Sequence, residues 1–121
     1  EEASIQVQAA ILLGNSLPEP DVMWLKPKRY RGQRPTADDA LLIIEVADSN
    51  LQYDLGEKAS LYSRSKINEY WVVDIGSHCI HRHLAPSGHG YQDVCKFERT
   101  QNISPRCKTD AQLVLAELFD E

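Results

Sequence analysis

The sequence predicts one domain of the α/β or α+β class, built around a mixed β-sheet. Stretches rich in β-branched and aromatic residues dominate the chain, and one segment with helical spacing stands between two of them. The length of 121 residues suits a single domain with a substantial core, and no repeat or long linker divides it. We therefore assign residues 1–121 to one domain.

The first half of the chain predicts three strands. Residues 4–14, SIQVQAAILLG, form the first, and the turn signal Gly14-Asn15-Ser16 closes it. Residues 21–25, DVMWL, follow two prolines and form a short second strand. A polar connection leads to the third strand at residues 40–46, which is apolar enough to be buried on both faces.

After the third strand, the spacing of the apolar residues changes to that of a helix, which predicts a helix that begins at Asp54. Leu55, Ala59 and Tyr62 follow one another at helical spacing, and Asp54 is a favourable N-cap residue. The helix is predicted despite Gly56, which lowers helix propensity.

The second half predicts strands again and then a short helix. Residues 70–75, YWVVDI, are strong β-formers followed by a tight turn, and residues 79–84 and 91–98 flank the turn APSGHG as a hairpin. The C-terminal helix has its apolar positions at Leu113, Leu115, Leu118 and Phe119. One helix inserted among strands is what predicts the mixed sheet.

Composition limits the classes of function. A hydrophobic fraction of 42% and a charged fraction of 26% exclude a disordered or fibrous protein. We expect a soluble, cytoplasmic protein, because no apolar run approaches the roughly 20 residues of a membrane span and no secretion signal opens the sequence. The odd number of cysteines, Cys79, Cys95 and Cys107, favours free thiols. The net charge of −5 argues against a generally basic surface but not against a local basic patch.

Glu45 interrupts the apolar third strand and is the first candidate site residue. A buried, unpaired carboxylate costs several kcal/mol, so such a group is normally paired, protonated or bound to a metal. If the second and third strands form an antiparallel hairpin, Asp21 and Glu45 meet at one sheet edge. Two converging carboxylates need a proton or a cation between them, and oxygen ligands suit Mg²⁺ or Mn²⁺.

Lys58 completes a candidate catalytic set of Asp21, Glu45 and Lys58. It shares the inward stripe of the predicted helix with Leu55 and Tyr62. An inward lysine near two carboxylates could position a water molecule or stabilise charge, and metal-dependent phosphodiester hydrolysis needs both metal ligands and such a group.

These residues also carry a resemblance to a known family. The segments PEPDVMWL and LLIIEVADSNLQYDLGEKASLYSRSKINEYWVVD, with the later GY, resemble the Uma-two family of restriction endonucleases, abundant in cyanobacteria, within the PD-(D/E)XK nuclease superfamily. The match extends over about residues 4–119, and residues 41–74 are its specific part. The resemblance implies a restriction-endonuclease-like fold, a mixed sheet with flanking helices and Mg²⁺ at one sheet edge.

The resemblance also implies roles for individual residues. Asp21 corresponds to the aspartate of the superfamily motif, Glu45 to its second acid, and the carbonyl of Val46 to a further metal ligand. Ala47 stands where the motif lysine is usual, and Lys58 from the following helix takes its place.

Two departures from the superfamily pattern accompany this resemblance. The sequence starts almost directly in a strand at Glu1-Glu2, so the N-terminal core helix is expected to be missing or its packing supplied by a partner subunit. Ser65-Lys66 replaces a small residue and glycine at a turn.

Each candidate residue also has a purely structural interpretation. Glu45 could form an ion pair with Lys58, and Asp21 could begin a turn. Lys58 could be a solvated helix lysine paired with Asp54, which is itself interpreted as a helix cap with at most a supporting role.

A basic segment and a Cys/His cluster are further candidates. The loop KPKRYRGQR carries five cations that could draw DNA phosphates towards Asp21, or could be simply solvated: Lys26, Lys28, Arg29, Arg31 and Arg34. The strand HCIHRH places one cysteine and two histidines on one face, and Cys95 lies on the next strand, which resembles zinc chemistry. The spacing fits no familiar zinc finger, so this face could equally be the solvent side of a hairpin.

The sequence therefore predicts a Mg²⁺- or Mn²⁺-dependent endonuclease acting on DNA, with Asp21 and Glu45 as metal ligands and Lys58 assisting the attacking water. A catalytically inactive DNA-binding or assembly module of the same fold is the alternative, and a zinc-site protein is the third. We expect a homodimer, because a small domain of this kind usually pairs to cut both strands of a duplex.

Overall fold

Six strands form one mixed sheet in which spatial order follows chain order. The computed structural model describes residues 4–119, so the expectations for Glu1 and Glu2 lie outside the described residues. The strands are β1 Ser4–Val7, β2 Val22–Leu25, β3 Ala40–Ala47, β4 Glu69–Asp74, β5 Cys79–Ser87 and β6 Gly90–Phe97. Neighbouring strands are antiparallel except for β3 and β4, which are parallel. The predicted mixed sheet is confirmed.

The parallel pair requires a crossover connection, and two short helices provide it. They are α1 Leu51–Leu55 and α2 Glu57–Arg64. Gly56 separates them, and a Cβ atom at this position would lie 2.9 Å from the carbonyl oxygen of Gln52, so the junction has room only for glycine. The prediction that Asp54 caps the helix is wrong, because α1 begins three residues earlier, after Asn50. The polar run Asp48-Ser49-Asn50 is the sequence signal for this earlier start.

The first strand is shorter than predicted, although its pairing continues. β1 ends at Val7, and Gln8 has a φ of 51°. Beyond it, the Gln8 amide donates to the Asp21 carbonyl at 3.0 Å and the Ile11 amide to that of Pro18 at 3.0 Å, in the register of the β1–β2 ladder. The positive φ at Gln8 thus interrupts the strand without ending the hairpin.

The two faces of the sheet belong to two separate cores. Met23, Ile43 and Tyr70 lie on the face covered by α1 and α2, which we call the helix face. Leu42 and Trp71 lie on the opposite face. The C-terminal segment covers that face with the two-stranded pair β7 Asn102–Ile103 and β8 Leu113–Val114 and with α3 Leu115–Leu118. The predicted C-terminal helix is correct only from Leu115, because Leu113 belongs to β8.

The β5–β6 hairpin is longer than predicted. Its ladder extends to the pair Ser87 and Gly90, so the turn shrinks to Gly88 and His89. Among residues 4–119, no helix has the length and apolar character needed to cross a membrane.

We expect Ile43→Ala to lower the free energy of unfolding by about 2–5 kcal/mol, because Ile43 is 0% exposed on the helix face and truncation leaves a cavity. The matched control is Ile5→Ala on the edge strand β1, where Ile5 is 56% exposed and the loss should stay within about 0.5 kcal/mol. Urea denaturation measures both variants. Equal losses would contradict the assignment of Ile43 to the buried core of the helix face.

Candidate active site

Asp21 and Glu45 face each other at the end of the β2–β3 ladder. Val22 pairs with Ile44, so the next residue on each strand brings the two acids opposite one another. The Asp21 amide points at Glu45 Oε1 across 3.4 Å, and the Val46 amide donates to Asp21 Oδ2 at 2.7 Å. The antiparallel hairpin predicted from the sequence therefore brings the two carboxylates to one sheet edge. The N–H of Val46 is thus directed to the β2 side. The next carbonyl, that of Ala47, accepts from the Ile75 amide on the β4 side at 3.2 Å, so the alternation of a β-strand directs the Val46 carbonyl to the β2 side as well.

Glu45 is a buried carboxylate with two strong donors. Its residue is 4% exposed, and Oε2 accepts hydrogen bonds from Lys58 Nζ at 2.7 Å and Tyr62 Oη at 2.8 Å. Burial raises the pKa of Glu45, and the nearby Asp21 raises it further, while the contacts with Lys58 and Tyr62 oppose the shift without cancelling it. Even with its two donors, Glu45 keeps a raised pKa.

Lys58 reaches this carboxylate from α2. Its side chain is 17% exposed, and Nζ lies 5.7 Å from the centroid of the Tyr53 ring, within cation–π range. The inward orientation predicted from helical spacing is therefore what the structure shows. Ala47 is 1% exposed and packs into the core of the helix face, so its small side chain leaves the space near Glu45 to Lys58.

Asp54 is the residue that the sequence interpretation underrated. It is 1% exposed inside α1, and its Oδ1 has no hydrogen-bond partner within residues 4–119. Burial raises the pKa of Asp54, with Lys58 lowering it and Asp21 raising it, which puts all three groups in one electrostatic neighbourhood. The Tyr70 hydroxyl donates to the Asp54 backbone carbonyl at 2.8 Å and fixes α1 against β4.

This donor set fits a hard divalent cation. Asp21, Glu45 and Asp54 offer only oxygen atoms, and hard cations such as Mg²⁺ and Mn²⁺ prefer carboxylate oxygen and water. A buried carboxylate oxygen without a partner, as in Asp54, is costly, and a nearby cation would offset that cost. The same cation would lower the raised pKa values of Glu45 and Asp54, because it favours their charged forms.

The basic loop was interpreted as lying beside Asp21, and this is wrong for Lys26 and Lys28, its first two cations. Lys26 follows Leu25, which pairs with Ala40 at the opposite end of the hairpin from Asp21. Five residue steps of extended strand separate the two by roughly 15 Å. Lys28 is engaged by Asp39 at 2.9 Å. The farther part of the loop turns back along the first hairpin, where the Leu12 amide donates to the Pro35 carbonyl at 2.9 Å.

The candidate zinc cluster is also only partly assembled. Cys95 pairs with Arg82, whereas Cys79, His81 and His83 occupy alternate positions of β5 and lie on the helix face, so Cys95 belongs to the opposite face. His83 is 4% exposed and contacts the Tyr70 carbonyl through Nδ1 at 3.2 Å, and burial lowers its pKa. Cys79 and His83 are thus buried, which also excludes a solvent-facing side of the hairpin.

Comparison with known proteins agrees with this architecture. A family model, Uma2, described as "Putative restriction endonuclease", matches residues 2–116. A similar solved structure is the crystal structure of a "putative nuclease belonging to DUF820" from Anabaena variabilis, with a TM-score of 0.73 and 15% identity. The superposition covers 97% of this chain and 68% of that one, and shows a shared fold. No curated protein matches the chain.

We expect Asp54→Asn to raise the free energy of unfolding in metal-free buffer by about 0.5–2 kcal/mol, the range of a single stabilising substitution, because it removes a buried negative charge. A carboxyl group with a raised folded-state pKa costs stability once it ionises, so stability falls as pH rises above the ordinary value of 3.8. The variant should lose less stability over that range, as measured by urea denaturation in chelator.

The control for this experiment is Asp38→Asn, an exposed aspartate for which a change within about 0.5 kcal/mol is expected. Added Mg²⁺ should stabilise the unmodified chain more than Asp54→Asn. An Asp54→Asn chain that is less stable than the unmodified one at neutral pH would show that the carboxylate serves the fold instead.

Proposed function

This chain belongs to the Uma2 family, and on that premise we propose that it is a metal-dependent endonuclease that hydrolyses DNA phosphodiester bonds. The family description and the nuclease-like neighbour support nuclease activity in general. The observation that carries the more specific proposal is the convergence of Asp21, Glu45 and Asp54 with Lys58 on one sheet edge.

Asp21 and Glu45 would hold Mg²⁺ or Mn²⁺ in this proposal. The Val46 amide occupies Oδ2 of Asp21, and Lys58 and Tyr62 occupy Oε2 of Glu45. The cation would therefore be held by Oδ1 of Asp21 and by Oε1 of Glu45, which has only the long 3.4 Å contact from the Asp21 amide. A bound divalent ion would supply positive charge to polarise the phosphate and stabilise the leaving oxygen. The direction of the Val46 carbonyl supports its role as a further ligand, and Asp54 adds negative charge beside the pair.

Lys58 would orient the attacking water and offset negative charge on the phosphate. Its ammonium lies 2.7 Å from Glu45 Oε2, so it stands at the carboxylate that faces Asp21. Tyr62 shares the same oxygen and keeps the Glu45 side chain in one orientation. Fixed donors of this kind cost no reorganisation during the reaction.

A catalytically inactive DNA-binding or assembly module is the second candidate, and one observation favours it. Glu45, Lys58 and Tyr62 already satisfy one another at hydrogen-bonding distance, as the members of a structural ion pair would. Only activity separates the two functions.

We expect the full chain to nick supercoiled plasmid DNA in Mg²⁺ or Mn²⁺ and to lose this activity in chelator. Glu45→Gln and Lys58→Met should each reduce the cleavage rate by at least about 100-fold, because each removes a charge from the reacting centre. Gel electrophoresis of the plasmid forms measures the rate.

The matched control is Glu57→Gln, an exposed glutamate at the start of α2, which should cleave at the unmodified rate. Circular dichroism establishes that each variant is folded. A chain that binds DNA but does not nick it with either metal, and behaves identically as Glu45→Gln, would overturn the enzyme proposal in favour of the inactive module.

The homodimer stays a prediction, and the edge strand β1 is its proposed contact. β1 is an outer strand of the sheet, with Ile5 56% exposed and Val7 66% exposed, and a second copy could pair with this edge. Val7→Lys should then shift the molecular mass measured by light scattering from dimer to monomer. The control is Val94→Lys on the other edge strand, where Val94 is 53% exposed. A monomeric unmodified chain would exclude the homodimer.

A further inference from the structure

We propose that Asp74, Cys79 and His81 form a second metal site, selective for Zn²⁺ or a similar transition-metal ion and distinct from the carboxylate site at Glu45. The three residues stand around the turn that joins β4 to β5, and Asp74 pairs directly with Cys79 in the antiparallel ladder. They lie on the helix face. Nothing in the proposed endonuclease reaction uses them.

The donor atoms are spaced slightly wider than the ligands of a tetrahedral zinc ion. Cys79 Sγ lies 3.9 Å from Asp74 Oδ2 and 3.7 Å from His81 Nε2, and Nε2 lies 3.9 Å from Oδ2. A tetrahedral zinc ion with ordinary bond lengths separates such donors by about 3.4–3.6 Å. A contraction of a few tenths of an ångström would therefore close the site around an ion.

The turn itself holds the carboxylate in position. The Ser77 amide donates to Asp74 Oδ1 at 3.2 Å, which directs Oδ2 towards the cysteine and the histidine. Outer contacts of this kind orient the ligands of natural metal sites. Asp74 and Cys79 are buried, whereas the His81 side chain is 18% exposed, so an ion and a fourth ligand such as water could enter beside the histidine.

Hydrogen bonding explains only part of this convergence, because the Cys79 thiol makes long, weak sulfur hydrogen bonds to Asp74 Oδ2 and His81 Nε2. Capping of the turn accounts for Oδ1 of Asp74, but the 3.9 Å between Nε2 and Oδ2 is too long for a hydrogen bond. Asp74 Oδ2 and His81 Nε2 thus face a common point without a hydrogen bond to each other, and the Cys79 thiol gives each of them only a long sulfur contact. Thiolate and imidazole prefer Zn²⁺ to Mg²⁺, so this site and the all-oxygen site at Glu45 would select different ions.

Cobalt substitution tests the site directly. Titration of the full chain with Co²⁺ under reducing conditions should produce a thiolate-to-metal absorption band in the near ultraviolet, saturating at one equivalent, and Zn²⁺ should abolish it. Cys79→Ser should remove the band. His81→Gln should weaken Zn²⁺ affinity by at least about 100-fold, measured in competition with a chromophoric chelator. A loss of this size is at or beyond the upper end of what the loss of a residue that only orients a ligand causes.

Two controls separate this site from other metal binding. The Cys95→Ser/Cys107→Ser double variant removes both exposed thiols and should keep the band. Glu45→Gln should keep it as well, because the carboxylate site has no sulfur ligand. If burial of Cys79 prevents the serine variant from folding, the Zn²⁺ affinity of His81→Gln still tests the site, because His81 is partly exposed. A missing band in the unmodified chain, a band lost in the double variant, or unchanged affinity in His81→Gln would overturn the proposal.

Discussion

Glu45 carries its carboxylate from β3 into the layer between the sheet and α2, where only 4% of the residue is exposed. A lone charge at this depth would cost several kcal/mol. Lys58 and Tyr62 reduce that cost, and both come from α2, one helical turn apart. Their two hydrogen bonds to one oxygen set the rotation of α2 about its axis. The position of a charged group therefore determines how the helix packs.

The crossover extends this constraint to the neighbouring strand. A parallel β3–β4 pair needs a connection over one face, and here that connection is the pair of helices broken at Gly56. The bond from Tyr70 to the Asp54 carbonyl ties α1 to β4 in the same region. Both proposed metal sites consequently lie towards the carboxyl ends of β3 and β4, the sheet edge where α/β folds commonly place their ligands.

Strands β2 to β6 and the positions of the three candidate site residues could be predicted from the sequence because they depend on local pattern. Alternation and β-propensity identified β2 to β6, and helical spacing pointed Lys58 inwards. Asp54 was interpreted as a helix cap because aspartate is common both at N-caps and among metal ligands, and only tertiary burial separates the two roles. The placement of the basic loop beside Asp21 was wrong for a related reason. Residues that are close in sequence can lie at opposite ends of one strand. The grouping of Cys95 with the other zinc candidates was wrong because the sequence does not give the register of β6, and one step of register moves a side chain to the other face.

The charge balance at the sheet edge favours the proposed metal site over a structural ion pair. An ion pair between Glu45 and Lys58 would be complete without further acids, and Tyr62 already fills the remaining capacity of that oxygen. Asp21 and Asp54 instead add repulsion, since Asp21 raises the pKa of both other acids. When all three carboxylates are ionised, one ammonium leaves two negative charges uncompensated. A single divalent cation cancels that excess, gives Asp54 Oδ1 a nearby positive charge, and makes the burial of Glu45 energetically reasonable.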